Sequence, residues 1–262
     1  MSAAAADRSE SRSRVLRFVA PVAVGAIILA LWFLVVDVLH TAPRALPSPV
    51  AIVEQLAQHS DIILEDMGIT ATNALVGLAV GTVIAILLAA LAAASRPIDG
   101  MLAPLVAAIA VVPIVAVTPI LNTMFGASSQ FGREAVAAIA AFVPVFVNVL
   151  RGLRQTRPVH RDLLRASGAT GLQTFRILTL PTALPYLMTG IRIASSIAVI
   201  AALVAEYFGG PADGIGTAIA TYAKSGHAAL AFAYVAGGIA IGLALFLVTS
   251  LLERLVSRRA PV

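Results

Sequence analysis

Residues 68–94 read GITATNALVGLAVGTVIAILLAALAAA, an apolar stretch without a single charged side chain. A helix crosses the hydrocarbon core of a bilayer with about 20 mainly apolar residues, so this segment is long enough to span a membrane. The whole chain has the same character, because 60% of its 262 residues are hydrophobic and only 12% are charged. A soluble domain is about 25% charged. The sequence therefore predicts an all-α integral membrane protein.

Five further segments share this length and apolar character. The predicted spans are residues 15–38, 68–94, 100–122, 134–151, 183–205 and 228–252. Prolines interrupt the third and fourth spans, and membrane helices tolerate proline where neighbouring helices or water satisfy the freed carbonyl groups. We therefore expect these two spans to face protein rather than lipid. A re-entrant hairpin in place of two full spans is the alternative.

Lysine and arginine side chains orient this six-span arrangement. When the N-terminus is placed inside, the inner segments contain Arg8, Arg12, Arg14, Arg17, Arg96, Arg151, Arg154, Arg157, Arg161, Arg165, Arg176, Arg254, Arg258 and Arg259. The outer segments contain only Arg44, Arg133 and Lys224. Because membrane proteins concentrate Lys and Arg on the cytoplasmic side, both termini are predicted to be cytoplasmic. The predicted organisation is a tail over residues 1–14, a membrane domain over 15–255 and a tail over 256–262.

The residue types that the sequence lacks exclude several functions. There is no cysteine, and His40, His59, His160 and His227 lie far apart without a partner at metal-ligand spacing, so we expect no metal site. No Ser/His/Asp arrangement, paired carboxylate site or phosphate-binding loop occurs, so we expect no catalytic site. The net charge of +5 comes from basic residues beside apolar segments, which indicates membrane orientation rather than nucleic-acid binding.

The longest inner segment, residues 152–182, predicts a pair of short helices bent at a glycine. Pro158 fits the first turn of a helix, and Gly168 favours its end. Thr170 and Gln173 have the spacing of a capping box, which starts the second helix. The apolar stripe of that helix consists of Leu172, Phe175 and Leu178. An exposed apolar stripe rimmed by arginines indicates a protein contact, and packing against its own bundle is the equal alternative.

The run DLLRASGATGLQTFRILTLP, residues 162–181, resembles the cytoplasmic docking motif of bacterial ABC importer permeases. That pattern is Glu-Ala-Ala, three residues, Gly, nine residues, Ile, one residue and Leu-Pro. The matching positions are Asp162, Leu163 and Leu164 for Glu-Ala-Ala, then Gly168, Leu180 and Pro181. Two departures are the bulky leucines in place of the Ala-Ala pair and Leu178 in place of Ile.

Further stretches resemble the nitrate, sulfonate and taurine branch of these permeases, which also includes carriers of pyrimidine vitamin precursors. They are VPIVAVTPILNTMFG at 112–126, FVPVFVNVLRGLRQTRP at 142–158 and VAEYFGGPADGIGTAI at 204–219. The similarity covers nearly the whole chain from about residue 15 to residue 255. It is specific for the family and uninformative about the solute.

The resemblance implies a permease subunit of an ATP-driven, binding-protein-dependent importer in a bacterial inner or plasma membrane. The implied solute is small and polar: an organosulfonate, taurine, nitrate or a pyrimidine vitamin precursor. The implied partners are a cytoplasmic ABC ATPase homodimer, an external substrate-binding protein and a second copy of this chain. ATP and magnesium would bind the ATPase, so this chain is expected to be no enzyme and to bind no cofactor. The implied docking residues are Arg161, Asp162, Leu163, Leu164, Arg165, Gly168, Leu172, Phe175, Leu180 and Pro181.

Two alternatives from other classes are an ion-coupled secondary carrier and a membrane-embedded enzyme. The carrier would need acidic residues near the middle of the membrane, whereas Asp37 and Glu206 fall near predicted outer ends. The enzyme would need clustered catalytic side chains within the spans. The sequence shows neither feature, so the importer subunit is the preferred interpretation.

Polar groups inside spans are costly, so they are usually functional or paired. The candidates for the translocation path are Asn73, Asn122, Asn148, Ser195, Ser196 and Glu206. Small residues also let helices approach closely, so packing is the alternative for the two serines. For Glu206 a solvated helix terminus is as good an interpretation as a gate. Arg192 is expected to anchor its span toward the inner face.

Overall fold

The computed structural model of the chain describes residues 19–20, 22–39, 46–126 and 128–258. Within these ranges the chain is helical and contains no β-strand, which confirms the all-α fold. The helices are α1 Val22–Val38, α2 Pro49–Gln58, α3 Ser60–Ala94, α4 Arg96–Val111, α5 Ile114–Phe125, α6 Phe131–Arg154, α7 Pro158–Ala166, α8 Gly171–Thr174, α9 Leu180–Tyr207, α10 Ile215–Lys224 and α11 Ala228–Ser257. The predicted tail over residues 1–14 and the last residues, 259–262, lie outside the described part.

Four helical stretches are long and apolar enough to cross a membrane: Ser60–Ala94, Phe131–Arg154, Gly171–Tyr207 and Ala228–Ser257. They contain the second, fourth, fifth and sixth predicted spans. The shorter α1 contains the described part of the first predicted span, whose residues 15–18 and 21 fall outside the described ranges. The total of six spans and the domain boundaries stay predictions.

The third predicted span, residues 100–122, differs from the expected continuous helix. Its two halves, α4 and α5, meet at an angle of 95°. The cause is Pro113, which has no N–H group to donate and disfavours the helical conformation of the residue before it. Val112 is accordingly extended, with φ −67° and ψ 125°. The pair forms a broken span or a re-entrant loop.

Small residues allow the three central helices to approach each other closely. α6 lies between α3 and α9 and contacts both along its length. A Cβ atom added to Gly77 of α3 would lie 2.8 Å from the carbonyl oxygen of Glu134. On the other side of α6, a Cβ atom on Gly190 would lie 3.1 Å from the Cβ of Asn148. Such close contacts replace the hydrophobic driving force, which is absent between helices in lipid.

Large apolar side chains cover the outside of the bundle. Exposed examples from four different helices are Leu87, Val111, Ile200 and Ile239. A contiguous apolar surface of this kind is stable only when lipid or another protein covers it. The exposure pattern is therefore that of a membrane protein, in agreement with its composition.

The loop between α6 and α9 folds as a bent pair of helical segments. α7 begins at Pro158, and Gly168 follows its end with φ 76°. The N–H of Ala169 donates to the carbonyl of Leu164 and the N–H of Gly168 to that of Arg165, both at 2.9 Å. These bonds form a Schellman motif, which requires the left-handed conformation that glycine adopts freely. The predicted bend at Gly168 is confirmed.

The second segment of the loop differs from the predicted separate helix. Its capping box between Thr170 and Gln173 is present, but the helix then continues without a break from Gly171 to Tyr207. A π-turn over Phe175–Thr179 makes this possible, because the N–H of Leu180 donates to the carbonyl of Phe175, five residues earlier. The wider turn changes the hydrogen-bond register just before Pro181, which has no N–H group to donate.

We predict that Gly81→Val disrupts the contact between α3 and α6. A Cβ atom at Gly81 would lie 3.2 Å from the Cα of Ala138, and such overpacking typically costs about 1–3 kcal/mol. Thermal unfolding in detergent and the yield of monodisperse protein measure the effect. Gly100→Val in α4 is the matched control, because no atom lies within 4 Å of its added Cβ. Equal losses in both variants would contradict the packing argument.

Candidate functional sites at the two ends of the bundle

The loop surface, formed by residues 158–181, is exposed at the end of the bundle where α6 ends and α9 begins. Leu163, Leu172 and Phe175 are 65%, 61% and 42% exposed. Leu172 and Phe175 of the apolar stripe are therefore not covered by the bundle, whereas Leu178 is half-buried. The uncovered side chains favour contact with another protein. Among the predicted docking residues, Arg161, Asp162, Leu163, Arg165, Gly168, Leu172, Phe175 and Leu180 are exposed, and Leu164 and Pro181 are half-buried.

The charged residues of the loop surface form few internal bonds. Arg165 and Asp162 approach only to 3.9 Å and are more than two-thirds exposed. Arg161 donates to the hydroxyl of Thr156 at 2.6 Å, which connects α7 to the end of α6. Exposed pairs of this kind contribute little stability. The charges are consequently free to pair with a partner at low cost.

At the opposite end of the bundle lies a buried polar network, the outer cluster, formed by Thr70, Asn73, Gln130, Arg133, Glu206, Asp213 and Thr217. Its first centre is the carboxylate of Glu206, which is 1% exposed. This carboxylate accepts from the Thr70 hydroxyl at 2.8 Å and from the Asn73 amide at 3.3 Å. It also accepts from the N–H of Gly216 at 2.9 Å. Glu206 is thus not a solvated helix terminus, because its side chain is buried. The three hydrogen bonds offset the cost of removing the carboxylate from water.

The second centre of the outer cluster is Arg133, whose side chain is completely buried. Its guanidinium donates to Asp213 at 2.6 Å, to Gln130 at 3.0 Å, to the carbonyl of Pro211 at 2.6 Å and to Thr217 at 3.0 Å. A planar guanidinium with five donors suits such a convergent arrangement. Asn73 connects the two centres, because its amide also donates to Gln130 at 3.1 Å.

The outer cluster holds a glycine-rich turn, residues 208–217, against the bundle. Gly209, Gly210 and Gly214 of this turn have φ values of 141°, 103° and 83°, a region that side chains with a Cβ atom rarely adopt. Three N–H groups at the start of α10 donate to side chains: Gly214 to Asp66 at 2.8 Å, Ile215 to Thr70 at 3.0 Å and Gly216 to Glu206 at 2.9 Å. Carboxylates at a helix N-terminus also complement its dipole.

The structure brings only two of the six path candidates together. Asn73 and Glu206 share the outer cluster. Asn148, in contrast, donates to the carbonyl of Pro144 at 2.8 Å, within its own helix. Ser195 bonds Thr249 at 3.1 Å in the contact between α9 and α11. Ser196 is half-buried and borders an apolar groove between these helices.

The sixth candidate, Asn122, is the exception among the buried amides. It is 8% exposed, and its Oδ1 atom has no hydrogen-bond partner among the described residues. A Cβ atom added to Gly132 would lie 3.6 Å from the Cγ of Asn122, and one added to Gly209 would lie 3.2 Å from its Nδ2. Asn122 therefore fills a gap between two glycines beside the outer cluster.

Several residues of these sites were not predicted from the sequence. The sequence assigns Arg133 to an outer segment and indicates no role for Thr70, Gln130 or Asp213. The one available signal was Arg133 itself, a rare cation on the outer side. Arg192 pairs with Glu253 at 2.5 Å and joins α9 to α11. Among the described residues no group of His, Cys, Asp or Glu could hold a metal ion.

Comparisons with known proteins agree with this architecture. Residues 66–261 match the family described as binding-protein-dependent transport system inner membrane component. The chain is 34% identical to the formylaminopyrimidine transport permease protein of Halalkalibacterium halodurans, over 64% of this chain and 67% of that protein. It is 28% identical to the putative aliphatic sulfonates transport permease protein of Bacillus subtilis, over 73% and 69% of the two chains.

A similar fold is found in solved structures. A chain of the MetNI methionine ABC transporter superimposes with a TM-score of 0.64 at 19% identity. The match covers 76% of this chain and 98% of that chain. At this level of identity the likeness concerns the fold alone.

We predict that Arg133→Met destabilises the protein far more than the loss of an exposed ion pair. The change leaves Asp213, Gln130 and a carbonyl without their buried donor, which should cost about 3 kcal/mol. Asp162→Asn is the control, because its pair with Arg165 is exposed and contributes at most about 1 kcal/mol. Thermal unfolding of both variants in the same detergent gives the comparison. Equal midpoints would show that the outer cluster does not stabilise the fold.

Proposed function

Since the chain belongs to the family of binding-protein-dependent transport system inner membrane components, it is the permease subunit of such an importer, and we propose that a cytoplasmic ABC ATPase drives it through the loop surface. The apolar side chains of Leu163, Leu172 and Phe175 offer a hydrophobic contact that the chain itself leaves uncovered. The arginines around them supply charges for orientation. Interfaces commonly combine such an apolar centre with a polar rim.

One observation carries this proposal: a single helical stretch joins the loop surface to the outer cluster. It runs for 37 residues from Gly171 to Tyr207, which corresponds to about 55 Å at the usual rise per residue. Leu172 and Phe175 lie at one end, and Glu206 lies at the other. Movement of the loop surface by an ATPase would therefore be passed along one continuous helix to the outer end of α9.

The proposed orientation places the loop surface in the cytoplasm of a bacterial cell and the outer cluster on the other side. The Lys and Arg distribution supports this orientation. ATP and magnesium would bind the partner ATPase, and this chain would bind no cofactor and catalyse no reaction. ATPase subunits of this kind act in pairs, and the apolar outer faces of the helices provide surface for a second copy of this chain.

The proposed solute is small and polar, of the pyrimidine vitamin-precursor, organosulfonate, taurine or nitrate class. The names of the relatives support this range, because they include a formylaminopyrimidine and an aliphatic sulfonate carrier. An external binding protein would supply most of the selectivity. An ion-coupled carrier is disfavoured, since the buried acid Glu206 lies at one end of its helix and already accepts three hydrogen bonds within the protein.

The direct test is reconstitution of this chain with its ATPase and binding protein in liposomes. We expect a complex that contains two copies of this chain and two of the ATPase by intact mass, and ATP-dependent uptake of one solute from the panel above. A stable complex with one copy of each, or uptake that a proton or sodium gradient drives without ATP, would contradict the proposal.

Reporter fusions test the orientation. Fusions after residue 160, in α7, and after residue 257, at the end of α11, should report a cytoplasmic location. A fusion after residue 215, at the start of α10, should report an external one. These expectations follow from the Lys and Arg distribution. An external signal after residue 160 would exclude contact between the loop surface and a cytoplasmic ATPase.

Replacement of Gly168 by valine tests the docking geometry. Gly168 has φ 76° and no atom within 4 Å of an added Cβ, so the substitution acts through backbone strain alone. A β-branched residue rarely adopts this conformation, and forcing it costs about 1–3 kcal/mol. We expect normal membrane insertion, weaker co-purification of the ATPase and loss of uptake.

Gly171→Val is the matched control for this variant. Gly171 lies three residues away in the same loop, also has open space around an added Cβ, and has no positive φ. Valine is therefore expected to leave ATPase binding and uptake close to the unsubstituted level. If both variants retained uptake, the bend at Gly168 would have no part in coupling.

A further inference from the structure

An open groove, the α4–α6 groove, separates α4 from α6 in the half of the bundle that carries the loop surface. Its volume is about 410 Å³. The wall on α4 contains Ala103, Ala107 and Ala110, and the wall on α6 is apolar until it ends in Arg151 and Arg154. Because the alanine side chains are short, they leave the space between the two helices unfilled.

The length of the α4–α6 groove matches one leaflet of a bilayer. The groove extends along α6 from Val143 to Arg154, which corresponds to about 16 Å at the usual rise per residue. The hydrocarbon core of a bilayer is about 30 Å thick, so each leaflet contributes about 15 Å. An acyl chain that lies in the groove would therefore reach from the level of the arginines to the middle of the membrane.

One of the two arginines at the end of the groove has no partner of its own. Arg154 pairs with Asp99 of α4 at 2.8 Å and donates to the carbonyl of Ala92 at 3.3 Å, so its charge is balanced. Arg151 is exposed and forms no ion pair or side-chain hydrogen bond with the described residues. The end of the groove therefore has one uncompensated positive charge.

A second apolar groove beside α4 lacks such a cation. It has a volume of about 360 Å³ and lies where α3 and α6 face the bend at Val112. The described residues that border it include no charged side chain. Such a groove can accept an acyl chain but offers nothing that distinguishes one headgroup from another. The unpaired Arg151 of the α4–α6 groove is therefore the feature that points to a specific lipid.

From these observations we propose that the α4–α6 groove binds an anionic phospholipid of the inner leaflet, with an acyl chain between the two helices and the headgroup phosphate on Arg151. A guanidinium binds phosphate through paired N–H donors, and basic pockets between membrane helices on the cytoplasmic side suit anionic headgroups. The inference goes beyond the proposed function and does not depend on an ATPase or on the identity of the solute. It requires only that the chain spans a membrane with the loop surface inside.

Native mass spectrometry of the full chain tests the site. The protein is purified in detergent and equilibrated with equimolar phosphatidylglycerol and phosphatidylcholine that have the same acyl chains. We expect one phospholipid per chain to be retained, with phosphatidylglycerol favoured about tenfold, within the range for a hydrogen bond to a charged group. Absence of a retained lipid, or equal retention of the two lipids, would overturn the proposal.

Arg151→Gln tests the headgroup contact. The change removes the unpaired cation, so the preference for phosphatidylglycerol should fall about tenfold, to near equality with phosphatidylcholine. Arg157→Gln is the matched control, because Arg157 is also exposed at this end of the bundle but borders a different cavity. This control should keep the preference. An equal loss in both variants would show general attraction of anionic lipid to the basic end and would overturn the assignment to Arg151.

Ala107→Phe tests the acyl-chain contact. The larger side chain fills the groove, so retention of both lipids should fall about tenfold, as for an overpacked site. Ala108→Phe is the control, because Ala108 is exposed on the same helix but does not border the groove.

Unchanged retention in Ala107→Phe would overturn the assignment to the groove. A second copy of this chain in the groove would also overturn it, and the spectra would then show an unsubstituted dimer without lipid that Ala107→Phe dissociates. If Ala107→Phe did not fold, the comparison of the two arginine variants would still decide the proposal.

Discussion

The buried carboxylate of Glu206 is the group on which the outer half of the bundle depends. A carboxylate in an apolar environment is very costly unless its oxygen atoms are hydrogen-bonded. The three donors come from α3 and from the start of α10, so the carboxylate remains satisfied only while these elements stay in register with α9. Arg133 imposes the same condition on α6 and on the turn 208–217, because its donors point to Asp213, Pro211 and Thr217. Two buried charges thereby fix the mutual positions of four helices.

The glycines of this region follow from the same constraint. A Cβ atom on Gly214 would lie 2.8 Å from the Cδ of Glu206, and one on Gly210 would lie 3.0 Å from the Nε of Arg133. The turn can therefore approach both charged groups only because it lacks side chains at these positions. Gly210 and Gly214 also have positive φ values, so the backbone conformation favours glycine at these positions for a second, independent reason. The segment GGPADGIG, residues 209–216, thus has the glycine-rich composition that close approach to Glu206 and Arg133 requires.

The structural features that were predicted most accurately from the sequence are those that depend on residues close together in the chain. The end of α7 at Gly168 and the capping box at Thr170 are local hydrogen-bond motifs, and both are present as expected. The apolar spans were equally visible, because burial in lipid requires length and composition alone. The burial of Arg133 and Glu206 could not be predicted in this way. Asp213 is 80 residues from Arg133 in the chain, and Asn73 and Thr70 are 133 and 136 residues from Glu206. Without knowledge of such distant partners, a charged residue near the end of a span is interpreted as solvent-exposed.

Pro181 and Pro113 show that proline can occur in a continuous helix in one place and at a sharp bend in another. Pro181 follows a π-turn, and the helix from Gly171 to Tyr207 stays continuous. Pro113 has no such turn before it, and the chain bends by 95°. A continuous helix transmits displacement along its axis, whereas a bend concentrates it at a few dihedral angles. The chain thus combines a continuous helix from the loop surface to the outer cluster with a pair of helices, α4 and α5, that is bent at Pro113.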